Sequence, residues 1–105
     1  MASGLAELGR FSEPALLILA SLAGSPKHGY AIEKDVEQFS GTRLEPGTLY
    51  GALARLESRG WIEPLPAEDR RRPYRLTDLG AEVLRARLEG VQKIATVGLR
   101  RLAGA

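Results

Sequence analysis

The stretch Pro46-Gly47-Thr48-Leu49-Tyr50, followed at helical spacing by Leu53 and Leu56 and then by Gly60-Trp61-Ile62, constrains the fold more than any other part of this sequence. Pro46 suits the first turn of a helix, where its missing N–H has no intrahelical partner to lose. Leu49, Leu53 and Leu56 stand at i, i+4 and i+7, which makes one stripe to be buried. Gly47, Gly51, Ala54 and Ser58 fall on the other side. Gly inside a helix costs roughly 1 kcal/mol relative to Ala. A helix that turns such residues outward is not built for its own stability; it suits a surface against which something large must press.

At 105 residues the chain is one small domain, near the size where a single core suffices. Its 44% hydrophobic and 27% charged residues are ordinary for a soluble globular protein and exclude disorder by composition. There is no cysteine, which excludes disulfides, thiolate catalysis and cysteine-based zinc sites and fits a reducing compartment. Residues Met1 to Arg10 lack an apolar signal core. The longest apolar run, Ala15 to Ala20, is far short of the roughly 20 residues a bilayer span needs. A soluble, cytoplasmic protein is expected, with no membrane partner. The net charge is only +2, so the distribution of charge matters more than its total. Lys27, Lys34 and Lys93 are the only lysines; the other cations are arginines, which favour bidentate contact with phosphate and base edges.

Residues 1–11 read as a flexible leader, 12–77 as a compact domain and 78–105 as a long C-terminal helix. The first helix is expected near Ser12, with Ser12 or Glu13 as cap and Pro14 in the first turn. Its run Ala15 to Leu22 is apolar on nearly every side, so it is expected to be sandwiched between neighbours. Gly24-Ser25-Pro26 ends it. A second helix runs from His28 or Gly29 to Phe39, and Ser40-Gly41-Thr42 is a turn. The Pro46 helix ends at Gly60, a natural C′ residue with positive φ. Trp61 to Leu65 and Tyr74 to Thr77 read as two strands joined by the basic loop Pro66 to Pro73, a hairpin. Thr77 or Asp78 caps the last helix, expected to reach about Leu102, with Gly90 and Gly98 as weak points. Leu84, Leu88, Val91, Ala95, Gly98 and Leu102 are spaced 4, 3, 4, 3 and 4, an a/d seam. A helix that long exceeds what so small a core can cover, so the seam is expected to meet a second copy of the chain.

The order helix, helix, turn, helix, hairpin, long helix is that of a winged helix-turn-helix: mainly α with a small β-hairpin. Such modules set the helix after the turn into the major groove and lay the wing along the backbone or minor groove. The wing tip here is Arg70-Arg71-Arg72, with Arg75 on the return strand, and three adjacent guanidinium groups suit phosphate or minor-groove contact. The competing reading is a solvated turn partly neutralised by Glu68 and Asp69.

Several blocks together resemble the PadR family of bacterial transcriptional regulators. They are His28-Gly29-Tyr30, Pro46 to Tyr50, Leu53 with Arg55-Leu56-Glu57, Gly60-Trp61-Ile62, and Arg71 to Thr77 with Gly80. The blocks run from 28 to 80 with matching spacing, and the resemblance covers about residues 12 to 85. The resemblance implies a homodimeric winged-helix repressor on near-palindromic operators in double-stranded DNA. It also implies dimerisation through the first and last helices, here Leu16 and Leu19 with the Leu84, Leu88, Val91, Ala95 and Leu102 seam. For many members it implies release from DNA by a small aromatic or drug-like effector. Larger members carry a further helical domain, which this short C-terminus does not match.

Position by position, Gly47 and Thr48 lie in a first turn whose free N–H groups attract phosphate. Tyr50 projects to the side of the buried stripe, towards backbone or a thymine methyl. Gly51 allows close approach. Arg55 points about 120° from the leucine stripe, where it reads guanine or pairs with Glu57. Tyr30 reaches a phosphate or fills the core. Lys27 and His28 touch phosphate at the start of the second helix. Phe39 and Trp61, at element ends, are expected in the core.

His28 is the only histidine, without a nucleophile or metal partner to give it catalytic work. No catalytic residue, metal or cofactor is expected. Glu33, Asp35 and Glu37 are splayed around one helix as a solvated surface. Three readings stand: a dimeric DNA-binding repressor, an enzyme, and a winged-helix module for protein–protein contact alone. An enzyme lacks a nucleophile–base pair or a glycine-rich phosphate loop. A protein-binding module would show exposed leucine or aromatic side chains where this chain has small residues and arginine.

Overall fold

The computed structural model describes residues 13–104; the expected leader, residues 1–11, and the Ser12 cap lie outside them. Helix α1 is Pro14–Gly24, strand β1 Lys27–His28, helix α2 Gly29–Ser40, helix α3 Pro46–Ser58, strand β2 Ile62–Pro64, strand β3 Pro73–Leu76 and helix α4 Asp78–Gly104. This is a winged helix-turn-helix followed by a long helix, the expected class.

The core is one cluster. Ile18, Leu19 and Leu22 of α1 meet Ile32 and Val36 of α2, Leu49, Leu53 and Leu56 of α3, Ile62 of β2 and Leu84 of α4. The predicted stripe of α3 is buried, and Ala52 joins it. Helix α1 touches α2, α3, α4 and β3, as its all-round apolar surface requires. Its N-cap is Glu13, whose side chain makes no capping bond; the carboxylate instead pairs with Arg87 of α4 at 3.1 Å. Phe39 departs from expectation. It is 51% exposed, because Ile32 and Val36 already fill the face that α2 turns inward.

Helix α3 ends as its Gly60 predicts. Gly60 has φ 76°, its N–H donates to the Glu57 carbonyl at 3.0 Å, and the Trp61 N–H donates to the Leu56 carbonyl at 3.1 Å. This pair of bonds is a Schellman ending. It delivers Ile62 into the core and Trp61 to its edge, with the Arg59 guanidinium over the indole at 5.2 Å.

The wing is broader than a hairpin. β3 is the centre of a three-stranded antiparallel sheet in the order β1-β3-β2. Lys27 faces Tyr74 and His28 faces Pro73, so the residues expected to open the second helix form a strand first. Glu63 faces Arg75, and Ile62 faces Leu76. Tyr74 and Leu76 lean on the core while Arg75 points out.

Thr77 is the cap of α4. Its Oγ1 accepts from the Gly80 N–H at 3.0 Å and donates to the Gly60 carbonyl at 2.7 Å. Helix α4 crosses so close to the Schellman turn that a Cβ on Gly80 would overlap the Trp61 carbonyl oxygen. It then runs 27 residues, about 40 Å, unbroken at Gly90 and Gly98.

Gly80→Ala is expected to destabilise the domain by ~2 kcal/mol or more, lowering the melting midpoint by roughly 10 °C. Gly90→Ala, where a Cβ meets open space, is expected to stabilise the domain by up to ~1 kcal/mol and so to raise the midpoint. Thermal denaturation followed by circular dichroism checks both. An unchanged midpoint for Gly80→Ala would show that α4 is not clamped at this crossing.

Candidate nucleic-acid interface

The outer face of α3 is sparsely covered. Gly47, Thr48, Ala54, Arg55 and Ser58 are exposed, and Gly51 is half-buried. A Cβ on Gly47 would meet nothing; one on Gly51 would meet the Arg55 guanidinium at 3.6 Å, so Arg55 folds back along its own helix. No ion pair joins Arg55 to Glu57 among the described residues. Tyr50 is 54% exposed, yet its ring leans on α2. A Cβ on Gly29 would stand 2.6 Å from the Tyr50 hydroxyl, and only glycine permits that approach.

Helix α2 begins with His28 as N-cap. Its Nδ1 accepts from the Ala31 N–H at 3.4 Å, and its Nε2 stands 3.4 Å from Arg71 Nη1. Tyr30 is exposed rather than core, with the Lys34 ammonium 5.4 Å from its ring centroid. Lys27 points away from this surface. Its ammonium donates to the Ser21 carbonyl at 2.6 Å and the Ser25 carbonyl at 3.2 Å, and lies 3.9 Å from Asp35. The free carbonyls at the end of α1 attract the cation, so Lys27, expected as a phosphate contact, already has intramolecular partners here. Asp35 is half-buried and held: it accepts from the buried Ser21 hydroxyl at 2.7 Å.

The wing tip turns on two residues. The Glu68 N–H donates to the Arg71 carbonyl at 2.7 Å and the Arg71 N–H to the Glu68 carbonyl at 2.8 Å. Between them Asp69 and Arg70 take φ 48° and 68°. Two consecutive left-handed residues are the mark of a type I′ turn, whose twist matches the strands. Arg70, Arg71 and Arg72 are all exposed. Arg75, expected alongside them, is paired across the sheet with Glu63, its Nε donating at 2.9 Å. Its register opposite Glu63 directs the guanidinium along the sheet and not to the tip.

These elements converge on one cleft of about 340 Å³, walled by Gly29 and by His28, Tyr30, Tyr50 and Tyr74, with Arg70, Arg71 and Arg72. No carboxylate lines it. Glu68 and Asp69 face a second cleft, of about 660 Å³, on the other side of Arg71. Arg71, with His28, borders both clefts, whereas Arg70 and Arg72 border only the first and Glu68 and Asp69 only the second.

The second expected surface is divided. Leu19 and Leu84, expected at a dimer interface, are only 3% and 5% exposed. Both are packed in the protomer's own core, and each shows only an edge, Leu84 to the open cleft beside Leu88 and Leu19 to a smaller one beside Leu16. Leu16 is half-buried, while Leu88, Val91, Ala95 and Leu102 are exposed. Ile94 and Leu99 are also bare, Ile94 at 74%; both flank the seam and were not singled out by the a/d spacing. Leu76, Leu84 and Leu88 line an open cleft of about 460 Å³ that Ala23 closes at the end of α1.

Among the described residues no helix is long and apolar enough to cross a membrane, and no group of three metal-ligating side chains comes together.

The sequence pattern of the transcriptional regulator PadR-like family matches residues 18–86. A PadR family transcription regulator from Clostridium difficile has a structure similar to this one, with TM-score 0.76 and 30% identity over 85% of this chain and 97% of that chain. A PadR family transcriptional regulator from Eggerthella lenta is 34% identical with TM-score 0.71, over 96% of this chain and 89% of that one. An uncharacterized 37.1 kDa protein in transposon TN4556 of Streptomyces fradiae is 44% identical over 86 residues, 82% of this chain; the match spans 25% of that relative's length. The family match runs from α1 through the third turn of α4 and so takes in α3 and the whole wing: the chain belongs to the PadR-like family of transcriptional regulators.

Proposed function

We propose that this chain is a homodimeric, sequence-specific DNA-binding repressor working in the cytoplasm. The observation that carries the reading is the shared cleft: Tyr50 of α3 and the three wing arginines border one acid-free hollow. Tyr50, at the flank of the bare face of α3, and the cationic wing thus share one side of the molecule, where a duplex would lie. In this reading α3 enters the major groove. Gly47, Gly51 and Ala54 admit it, Thr48 and Tyr50 meet backbone or a thymine methyl, and Arg55 swings out to a guanine edge. Tyr30 and His28 meet phosphate beside it. Arg70, Arg71 and Arg72 grip backbone or minor groove, with Arg75 a lesser contributor through its pairing with Glu63.

The apolar surface of α4 beyond Leu84 supports a two-fold partner. Leu88, Val91, Ile94, Ala95, Leu99 and Leu102 are exposed along it, and a helix with that much bare apolar surface is a recognised association surface. Two copies joined there would present paired recognition helices to a near-palindromic operator, with half-sites about 34–36 Å apart. The cleft beside Leu76 and Leu88 is assigned to a small aromatic or drug-like effector, closed by the second copy.

Replacing Arg70, Arg71 and Arg72 together by alanine is expected to weaken binding to all duplexes. The slope of log K against log salt should shrink by up to ~1 per lost contact and protomer; an unaltered slope would remove the wing from the interface. Leu88→Glu is expected to yield monomers in sedimentation equilibrium, and a persisting dimer would reject the seam. Tyr50→Ala is expected to lower affinity for a selected operator about tenfold while the melting midpoint stays nearly constant. A collapse in stability would instead make Tyr50 part of the core.

A further inference from the structure

His28 cannot satisfy both of its neighbours. A neutral imidazole carries one proton and offers one lone pair. Here Nδ1 faces the Ala31 N–H and Nε2 faces Arg71 Nη1, each at 3.4 Å, and both neighbours are donors. When Nδ1 accepts and caps α2, the Nε2–H and the Arg71 guanidinium converge with no acceptor between them. The other tautomer satisfies Arg71 and uncaps the helix. The imidazolium accepts from neither.

The missing partner is an acceptor, and the charge of the surroundings says which kind. His28 and Arg71 stand between two hollows. On one side three guanidinium groups and three tyrosines line it and, among the described residues, no carboxylate does. On the other the same two side chains share a cleft with Lys27, Glu68 and Asp69, and neither carboxylate forms a hydrogen bond or ion pair with them among the described residues. We propose that one phosphodiester oxygen of duplex DNA seats between His28 Nε2–H and the Arg71 guanidinium, accepting from both. The α2 cap and the wing then close on a single phosphate. Charge-assisted bonds of about 2.8 Å to a shared oxygen set the two nitrogens ~4.5 Å apart. Arg71, exposed on the wing, needs to swing only about 1 Å beyond its present contact to reach that spacing. The seat rests on the DNA-binding reading and adds to it a named tautomer, a named pair and a coupling between wing and helix.

Two substitutions separate the seat from the cap. H28N keeps a good N-cap and removes the donor that faces Arg71. H28Q caps poorly and keeps an N–H within reach of it. On the duplex recovered by binding-site selection, H28N is expected to hold the melting midpoint and lose about tenfold in affinity. H28Q is expected to lose midpoint and keep more affinity than H28N. R71A should cost a similar factor to H28N, and the H28N/R71A double variant clearly less than the product of the two, because either change forfeits the same phosphate. With 15N-histidine labelling, the His28 Nε2 resonance should move with stoichiometric duplex and not with inorganic phosphate at millimolar concentration and constant ionic strength.

The seat is overturned if the wild-type protein binds a duplex that H28N binds within about twofold as well. It is overturned too if the two losses multiply, if affinity follows melting midpoint across H28N and H28Q, or if inorganic phosphate moves the resonance and duplex does not. A wild-type protein that binds no duplex at all sinks the DNA-binding reading and the seat with it.

Discussion

The rotation of α3 about its own axis is the constraint on which the rest depends. Leu49, Ala52, Leu53 and Leu56 are all at most 1% exposed, and they can be buried together in one rotation only. A slip of one residue turns a helix by about 100°; it would carry Tyr50 and Ala54 inward and leave leucines in water. Burying a leucine contributes roughly 1.5–3 kcal/mol, so the stripe outweighs the loss of helix propensity at Gly47 and Gly51. Short helices owe their stability to such packing. The exposed face is therefore free to be poor in side chains, because nothing that holds the helix in place resides there.

From that helix the chain is guided into the wing by backbone geometry. The Schellman turn at Gly60 sets the direction of β2, Thr77 ties the far end of β3 back to the Gly60 carbonyl, and Gly80 lets α4 lie on the same turn. β1 joins the central strand to the start of α2, so the wing is tied to the entry of α2 as well as to the turn that leaves α3. The exposed pair Arg75–Glu63 adds little to this, since such pairs contribute at most about 1 kcal/mol. What the sheet secures is position: the wing cations stand at a fixed distance from Tyr50 and His28.

The long periodic elements were legible in the sequence. α1, α3 and α4 announce themselves through apolar spacing, Pro14 and Pro46 in first turns, and Gly60 and Thr77 at ends, and the candidate interface on α3 and the wing tip was legible for the same reason. A two-residue strand such as β1 has no periodicity to detect; only its pairing with β3 defines it. Composition near a helix start cannot reveal that the Lys27 side chain turns back to the carbonyls of α1. Phe39 lies at a helix end where a shift of one residue decides burial. Leu19 and Leu84 expose a deeper ambiguity: an a/d spacing says which face is apolar, not whether the protomer's own core or another molecule covers it.

That ambiguity resolves into a division of labour along α4. Its first two turns belong to the domain: Thr77 caps them, Gly80 lies against the Schellman turn and Leu84 enters the core. Past Leu84 no α4 residue among those described is fully buried. Leu88 stands at the junction, 42% exposed, facing both the cleft beside Leu76, which Arg85, Glu89 and Gln92 also line, and the bare stretch beyond. An unbroken helix transmits rotation, since its i→i−4 ladder leaves no hinge without a kinking residue or bulge. In a dimer joined by the outer half of α4, the angle between the two winged domains is then fixed by the Gly80 crossing and by whatever fills the cleft at Leu88. A molecule wedged there would act on half-site spacing without touching α3 or the wing. Under the proposed effector reading, the leverage of such a molecule would come from where the helix is clamped, on a wall shared by leucine and alanine with Arg85, Glu89 and Gln92.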